Sequence, residues 1–423
     1  MWRERRGRRV LMALESEAAR PLTGVAKSFK EAAKALRRSA RDEEGSYLFY
    51  AAVAIFALQY SMTLTLVTWG IVPGLLKVAT VALLVLRASM QDYSKRSLLV
   101  ISLGGAVTLL CALFSGDLTL LYVWMFAATA KNASVQTVAM IVFVVLGAML
   151  LLFSAFALLG IVPSTTQIRT DGLVRSSLGF YHVNIYGGVA MAALVSYLVL
   201  RFPSFTWFDL VAGAVFLGLL ELGSKSRTAE AIMGASIVLA FICSSSRRLS
   251  TRGQKACAVA VACVGVAPIL FVIYFMFFYS SAVPWEARLN AILSDRLNLM
   301  STFAREMPLT LFGQDVSGAP AVGEYAGYVV DSGYANLFIK NGVIPFILWV
   351  GATLAIYGDS IRRGRVGAVV LGVTALSLFG MAETRFDTVV FNFYIIYAIS
   401  VLIGPMPTKK RSVSGSISWW MRE

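Results

Sequence analysis

Long apolar runs separated by short polar segments organise this chain. A helix needs about 20 residues to cross the hydrocarbon core of a bilayer. Twelve runs fit such helices, of which 118–130 and 231–243 are short. The twelve are 47–67, 71–86, 97–114, 118–130, 138–162, 185–200, 208–222, 231–243, 256–279, 334–357, 366–381 and 389–403. The pattern predicts an all-α polytopic membrane protein with about 12 transmembrane helices.

Composition supports the same class. The chain is 58% hydrophobic with a mean hydropathy of +0.72, whereas soluble domains are roughly 45 to 50% apolar. A net charge of +15 would suggest nucleic acid as the partner of a soluble protein. Here the Lys and Arg residues gather between apolar runs, as the positive-inside rule expects. The lipid bilayer is therefore the expected partner, and no nucleic acid is needed to explain the charge.

Basic residues also predict the orientation of the chain. They precede the first apolar run and follow every even-numbered run, for example Arg96 after the second and Arg248 after the eighth. Both termini are therefore expected in the cytoplasm. The predicted parts are a basic leader (1–46), a transmembrane domain (47–405) with one long external loop (280–333), and a cytoplasmic tail (406–423). Apolar residues recur at helical spacing in the leader beside lysines and arginines, which favours an amphipathic helix on anionic lipid. We expect no removable signal peptide.

Four predicted external segments carry arginines: 163–184, 224–230, 280–333 and 382–387. The long loop combines an amphipathic helical pattern (285–307) with Gly-rich turn sequence (313–327), so short helices are expected in it. Arg227 lies in a short polar segment between two apolar runs, where a lone arginine would ordinarily snorkel to the membrane surface. The other arginines predicted on this side are Arg169, Arg175, Arg288, Arg296, Arg305 and Arg385. Their shared side indicates an anionic substrate head group.

Several kinds of chemistry lack support in the sequence. His182 is the one histidine, so neither a histidine-rich metal site nor a Ser-His-Asp triad is indicated. The four cysteines lie in or at the ends of apolar runs without ligand spacing, and the Gly-rich stretch lacks a P-loop ending. We expect no metal and no cofactor. Arginines can clamp a diphosphate leaving group, and a carboxylate or imidazole can accept a proton, so group transfer from a lipid diphosphate fits.

Five groups of residues occur in an order that resembles the motifs of Wzy-type bacterial polysaccharide polymerases. They are Arg175-Ser-Ser-Leu-Gly-Phe-Tyr-His-Val-Asn184, Ser224-Lys-Ser-Arg-Thr-Ala229, Leu293-Ser-Asp-Arg-Leu297, Leu311-Phe-Gly-Gln314, and Asp331-Ser-Gly-Tyr334 followed by Asn341-Gly-Val-Ile344. The resemblance covers about 47–404. It implies a metal-independent membrane glycosyltransferase fold, shared with O-antigen ligases, that joins undecaprenyl-diphosphate-linked repeat units on the outer face of the bacterial cytoplasmic membrane. It also implies that Arg227 and Arg296 grip the lipid diphosphate.

One departure from the related ligases bears on mechanism. Ligases usually carry His-Asn-x-Tyr before the next span, where this chain has Asp331-Ser-Gly-Tyr334. The difference favours a polymerase over an O-antigen ligase and leaves Asp331 as the candidate base, although many polymerases are similar to Asp-Asn here. The alternative is that Asp331 caps the helix that follows.

Other residues form a second tier of candidates. Arg169, Arg175, Arg288 and Arg385 are candidate substrate ligands, although Arg169 and Arg175 could form a solvated loop network and Arg385 could pair with Glu383. We expect His182 to make a structural hydrogen bond rather than to transfer a proton. Tyr334 could stack on a sugar ring, and Lys340 is expected to snorkel.

A polymerase of this type would extend a capsular, exopolysaccharide or O-antigen chain beside a flippase and a chain-length regulator. The alternative class is a lipid-sugar flippase or secondary transporter, which should place charges near mid-bilayer on broken helices. The arginines here fall at the predicted external boundaries, which disfavours transport.

Overall fold

The computed structural model describes residues 46–168, 172–202, 204–316 and 330–403. The predicted leader up to residue 45, the tail 406–423, Arg169 and the second part of the Gly-rich stretch lie outside the described residues. The described part of the chain is 74% helical, as the apolar pattern predicts.

Most of the helices follow the apolar runs, but the run 334–357, predicted as one span, divides into two helices at Asn341 and Gly342. In chain order the helices are α1 (46–63), α2 (Val72–Ser89), α3 (Lys95–Ser115), α4 (Thr119–Thr129), α5 (Val135–Leu158), α6 (Val183–Arg201), α7 (Trp207–Leu222), α8 (Arg227–Ser246), α9 (Thr251–Phe278), α10 (Pro284–Ile292), α11 (Arg296–Glu306), α12 (Gly333–Lys340), α13 (Val343–Arg363), α14 (Ala368–Gly380) and α15 (Phe393–Ile403). A 3₁₀-helix (Thr384–Asp387) separates the last two.

Seven of the described helices are long and apolar enough to cross a membrane: α2, α3, α5, α6, α8, α9 and α13. Two shorter helices, α4 and α14, are also apolar. The protein is therefore a helical membrane protein. The run 231–243, which looked short in the sequence, belongs to the 20-residue helix α8, because the polar residues from Arg227 to Glu230 form its first turn.

Burial distinguishes the core helices from those at the periphery. In α6, 83% of the apolar window is buried inside the protein, compared with 17% in α2 and α3. Small residues let neighbours approach α6 closely. A Cβ atom added at Gly187 would lie 3.1 Å from the Cβ atoms of Ser226 and Ala229. A Cβ atom at Gly188 would lie 3.3 Å from the ring of Phe379. The central helix α6 therefore packs against α8 and α14.

A short β-hairpin departs from the all-α prediction. Strand β1 (Thr166–Ile168) pairs antiparallel with β2 (Val174–Ser176), and Gln167 lies opposite Arg175. The connecting turn includes Gly172 with φ of 82°, a left-handed conformation that glycine adopts at little cost. The hairpin lies in the polar segment 163–184, which contains no long apolar run from which its secondary structure could be predicted.

The described part of the long loop contains two short helices. The amphipathic pattern 285–307 divides into α10 and α11, and Ser294 and Asp295 between them have φ angles of 57° and 67°. Asn290 of α10 stabilises this break. Its Oδ1 accepts hydrogen bonds from the backbone N–H groups of Leu297 (3.0 Å) and Asn298 (3.1 Å), in the first turn of α11. The break therefore places Arg296 at a capped helix start.

Two of the sequence motifs interlock through their backbones. Val343 N–H donates to Thr310 O (3.0 Å) and Gln314 N–H to Lys340 O (2.9 Å), so 311–314 lies against 341–344. Gly313 and Gly342 meet here with φ of 90° and 97°. A Cβ atom on Gly342 would lie 2.4 Å from the Gly313 nitrogen, closer than packing allows. Glycine is thus required on conformational and steric grounds.

Candidate active site

The four arginine-bearing segments meet at one end of the helix bundle, which we call the upper end. Ser176 N–H donates to Gly223 O (3.4 Å), which joins the β-hairpin segment to the turn before α8. Arg296 Nη1 donates to Ala382 O, which joins the long loop to the segment after α14. The charges of Arg385 and Asp331 both act on His182, so the two pairs of segments lie near one another.

Arg296 and Asp331 form the centre of the candidate site. The Arg296 Nε lies 3.8 Å from Asp331 Oδ2, and the two side chains are 16% and 44% exposed. The guanidinium is thus largely enclosed and oriented by the Ala382 carbonyl, whereas the carboxylate is reachable. A separation of 3.8 Å is a loose ion pair, longer than a normal charge-assisted hydrogen bond. The pair could open to admit an anion on the arginine and a hydroxyl on the carboxylate.

The helix cap next to Asp331 is provided by a different residue. Ser332 is the N-cap of α12, and its Oγ accepts a hydrogen bond from Ala335 N–H at 3.4 Å. Asp331 lies one residue before the cap. The alternative in which Asp331 caps this helix is therefore wrong, and its carboxylate is oriented toward Arg296 instead.

Glu383 and Arg385 form a second ion pair beside the first. Arg385 Nη1 lies 2.6 Å from Glu383 Oε1, and the side chains are 28% and 12% exposed. Burial raises the pKa of Glu383, and Asp331 raises it further, while Arg385 and Arg296 oppose the shift. Those interactions place Glu383 within electrostatic reach of the Arg296–Asp331 pair. The predicted pairing of Arg385 with Glu383 is confirmed.

His182 and Arg175 border this group from the hairpin side. His182 is the N-cap of α6, and its Nδ1 accepts a hydrogen bond from Asn184 N–H at 3.1 Å, as expected of a structural imidazole. Burial lowers the pKa of His182, and Arg175 and Arg385 lower it further, whereas Asp331 raises it. A neutral ring with an unprotonated Nδ1 fits both facts. Arg175 also donates to Gln167 Oε1 across the hairpin (3.2 Å).

A further charged group lies near Asp387 of the 3₁₀-helix. Lys340 Nζ lies 2.8 Å from Asp117 Oδ2, so Lys340 forms an ion pair. Burial tends to raise the pKa of Asp117, but hydrogen bonds with Lys340 and Thr119 outweigh it and the pKa is lowered. Burial raises the pKa of Asp387 to about 8 and Asp117 adds to the shift, against Lys340 and Arg385.

The remaining predicted residues have varied placements. Arg227 is exposed at the first position of α8, at the upper end, where α8 packs on the first turns of α6. Arg288 is exposed on α10 and takes no part in the contacts described above. Tyr334 is 1% exposed, its ring packs against Phe386 at 4.6 Å and its hydroxyl lies 2.8 Å from Ser377 Oγ. The expectation that Tyr334 stacks on a sugar is therefore wrong, and the residue belongs to the core.

Sequence reasoning did not select Asp117 or Asp387. Asp117 lies between two apolar runs, and Asp387 lies two residues before another. The sequence pattern therefore predicts only a charge at the membrane interface for each of them. Asp117 and Lys340, for example, are 223 residues apart in the chain, so only the fold brings them together. A carboxylate within a few residues of an apolar run was the available signal, and it is weak alone.

This arrangement can bind an anion and accept a proton. Arg296 and Arg385 are partly enclosed, so their charges act in a medium less polarisable than water. Asp331 supplies an accessible carboxylate beside them. Among the described residues, no group of three or more His, Cys, Asp or Glu side chains could hold a metal ion. Comparison with protein-family models, curated proteins and solved structures finds no match for this chain.

Proposed function

We propose that the protein is a polysaccharide polymerase of the Wzy type, which transfers a glycan from one undecaprenyl-diphosphate-linked repeat unit to a hydroxyl of another. The observation that carries the proposal is the loose pair of an enclosed Arg296 and an accessible Asp331 at 3.8 Å, with Arg385 beside it. Guanidinium groups match the oxygen geometry of a diphosphate. An adjacent carboxylate suits a hydroxyl acceptor.

In the proposed reaction, the acceptor oxygen forms a bond to the anomeric carbon of the donor glycan while the bond from that carbon to the phosphate oxygen breaks. Undecaprenyl diphosphate leaves with the electron pair of the broken bond. Arg296 and, from the start of α8, Arg227 stabilise the charge that develops on the leaving diphosphate. Asp331 takes the proton of the attacking hydroxyl. Arg385, Arg175 and Arg288 are proposed to bind the remaining anionic or sugar groups.

The proposal includes a particular topology. About 12 spans with both termini in the cytoplasm would place the upper end on the outer face of a bacterial cytoplasmic membrane. There the lipid tail of the substrate stays in the outer leaflet while its diphosphate reaches Arg296. The product would be a capsular polysaccharide, an exopolysaccharide or an O-antigen, and a flippase and a chain-length regulator are the proposed partners.

Two other functions remain alternatives. An O-antigen ligase would use the same diphosphate grip, but a ligase-type histidine is replaced by Asp331 at the corresponding motif. A lipid-sugar flippase or secondary transporter would need charged groups along a path through the membrane. The grouping of Arg296, Asp331, Glu383 and Arg385 at one end of the bundle favours transfer over transport.

Proteoliposomes can separate transfer from transport. The purified protein would be reconstituted with a synthetic undecaprenyl-diphosphate oligosaccharide, and both product length and movement of the lipid between leaflets would be measured. We expect longer lipid-linked products without accelerated movement. Accelerated movement with no change in product length would identify a transporter and refute the proposal.

A further inference from the structure

The opposite end of the bundle, which we call the lower end, contains a cavity bordered by arginines from two parts of the chain. Arg247 directly follows α8, Arg363 ends α13, and Arg365 lies in the turn before α14. All three line one cavity together with Gln136, Ser360 and residues 366 to 370. The charged residues of the candidate active site lie at the upper end, so this is a separate feature.

Local structure holds these cations close to one another. Gly364 adopts φ of 64° and reverses the chain after α13. Ser360 Oγ donates to Arg365 O (2.8 Å) and Arg365 N–H donates to Ser360 O (3.2 Å), which fixes the turn. The guanidinium carbon of Arg247 lies 4.9 Å from the centre of the Phe202 ring. The Arg365 backbone and the Arg247 guanidinium are therefore each contacted by groups that carry no negative charge.

Positive charge exceeds negative charge around the cavity. Asp359 pairs with both Arg362 (2.6 Å) and Arg363 (2.7 Å), so one carboxylate is shared by two guanidinium groups. Burial lowers the pKa of Arg247, and the charge of Arg365 lowers it further. Like charges that act on one another are costly unless an anion offsets them.

The start of α14 also borders the cavity. Gly367 is the N-cap of this 13-residue helix and has no side chain with which to cap it. Residues 367 to 370 line the cavity, so the positive end of the dipole of α14 lies at its wall. Guanidinium groups and a helix start are the donors that phosphate prefers.

The size of the cavity limits what can enter. It measures about 30 Å³, and one water molecule needs roughly 10 to 15 Å³ on this measure. Phosphate oxygens can fit, whereas a sugar or nucleobase would have to remain outside. Because the cavity lies where α8 and α13, two helices able to span a membrane, both end, an anionic phospholipid can reach it without leaving its leaflet.

We propose that Arg247, Arg363, Arg365 and the start of α14 form a binding site for a phosphate group, supplied by an anionic phospholipid of the leaflet at the lower end. Occupancy would offset repulsion among the arginines and tie α8 to the turn between α13 and α14. The site would thus brace the lower end of three helices without taking part in the reaction at the upper end.

Native mass spectrometry of the purified full chain in neutral detergent can test this site. The protein would be titrated with phosphatidylglycerol, with zwitterionic phosphatidylcholine, and with inorganic phosphate in a parallel series. We expect phosphatidylglycerol to bind preferentially, and Arg365→Gln to weaken its tightest binding by about tenfold. Arg247→Gln combined with Arg365→Gln should abolish that binding. The matched control is Arg362→Gln, because Arg362 belongs to the same basic cluster but is absent from the cavity lining.

The outcomes separate the possible sources of phosphate. If inorganic phosphate binds with the same dependence on Arg365 and phosphatidylglycerol does not bind, the phosphate site stands and its ligand is a soluble anion. Unchanged phosphatidylglycerol affinity in the double variant would overturn the proposal. So would an Arg362→Gln variant that weakens binding as much as Arg365→Gln. Melting temperatures without lipid would verify that every variant is folded.

Discussion

Substitution of Asp331 by Asn tests the proposed base without a large change in shape. The amide keeps the size of the carboxylate but cannot accept the proton of an attacking hydroxyl at neutral pH. Loss of a general base typically lowers the rate by about 10² to 10⁴. We therefore expect Asp331→Asn to reduce single-turnover transfer by at least about a hundredfold.

The structure predicts a small effect of the same change on stability. Asp331 is 44% exposed and lies 3.8 Å from Arg296. Partly exposed ion pairs contribute about 0 to 1 kcal/mol, and Ser332 rather than Asp331 caps α12. A rate loss of a hundredfold corresponds to about 2.7 kcal/mol of barrier, so the catalytic and structural effects differ clearly in size.

Ser332→Ala is the matched control one residue away. Loss of this cap should cost about 0.5 to 2 kcal/mol of stability and leave the transfer rate of the folded protein near that of the wild type. Both variants would be compared by single-turnover transfer and by melting temperature in detergent. Transfer by Asp331→Asn within a few-fold of wild type would refute the assignment of the base, as would a rate loss in Ser332→Ala of equal size.

The other predictions concern charge, metal dependence, pH and packing. Arg296→Lys and Arg227→Lys should transfer glycan at well under a tenth of the wild-type rate, since lysine lacks the planar fork, and full activity in both would indicate simple electrostatic attraction. Polymer formation should survive EDTA; loss on chelation and recovery with a divalent ion would require three carboxylates of the predicted external loop, Asp315, Glu324 and Asp331, to be reconsidered as ligands. The folded pKa of Asp387, about 8, exceeds the ordinary 3.8, so its contribution to stability is present below about pH 4 and lost as pH rises through about 8. Melting curves should show that the stability of Asp387→Asn relative to wild type rises over that window by at most about 1.4 kcal/mol per pH unit. A constant stability difference would contradict the raised pKa. Gly342→Ala should destabilise the protein by at least about 1 to 3 kcal/mol, measured as a lowered melting temperature, because its left-handed backbone and contact with Gly313 exclude a Cβ atom; a wild-type melting temperature would argue against this packing.

Much of the helical architecture could be predicted because apolar length is a local property of the chain. The run 138–162, for example, becomes α5 almost unchanged, since about 20 apolar residues suffice to specify a membrane helix. Helix ends were less predictable. Arg227 begins α8 rather than lying in a separate turn, because polar residues can occupy a first helical turn at the membrane boundary.

The candidate site could be predicted only in part. Its arginines were found because they share a predicted side of the membrane. The pairing of Arg296 with Asp331 was not predicted, because it depends on the break at Asp295 and on how the long loop folds back. The separate role of Ser332 as the cap also required backbone geometry, since either Asp331 or Ser332 is a suitable capping residue by type. Asp387 gains its raised pKa from burial, which no single segment reveals.

The most direct test of the central claim is the stoichiometry of glycan transfer by the purified protein. A synthetic undecaprenyl-diphosphate repeat unit would be supplied without nucleotide, and lengthened product and free undecaprenyl diphosphate would both be measured by mass spectrometry. The account predicts one released undecaprenyl diphosphate for every new glycosidic bond, with both products reduced strongly in Arg296→Ala. Unchanged substrate with the wild-type protein, or equal product formation by Arg296→Ala, would contradict it.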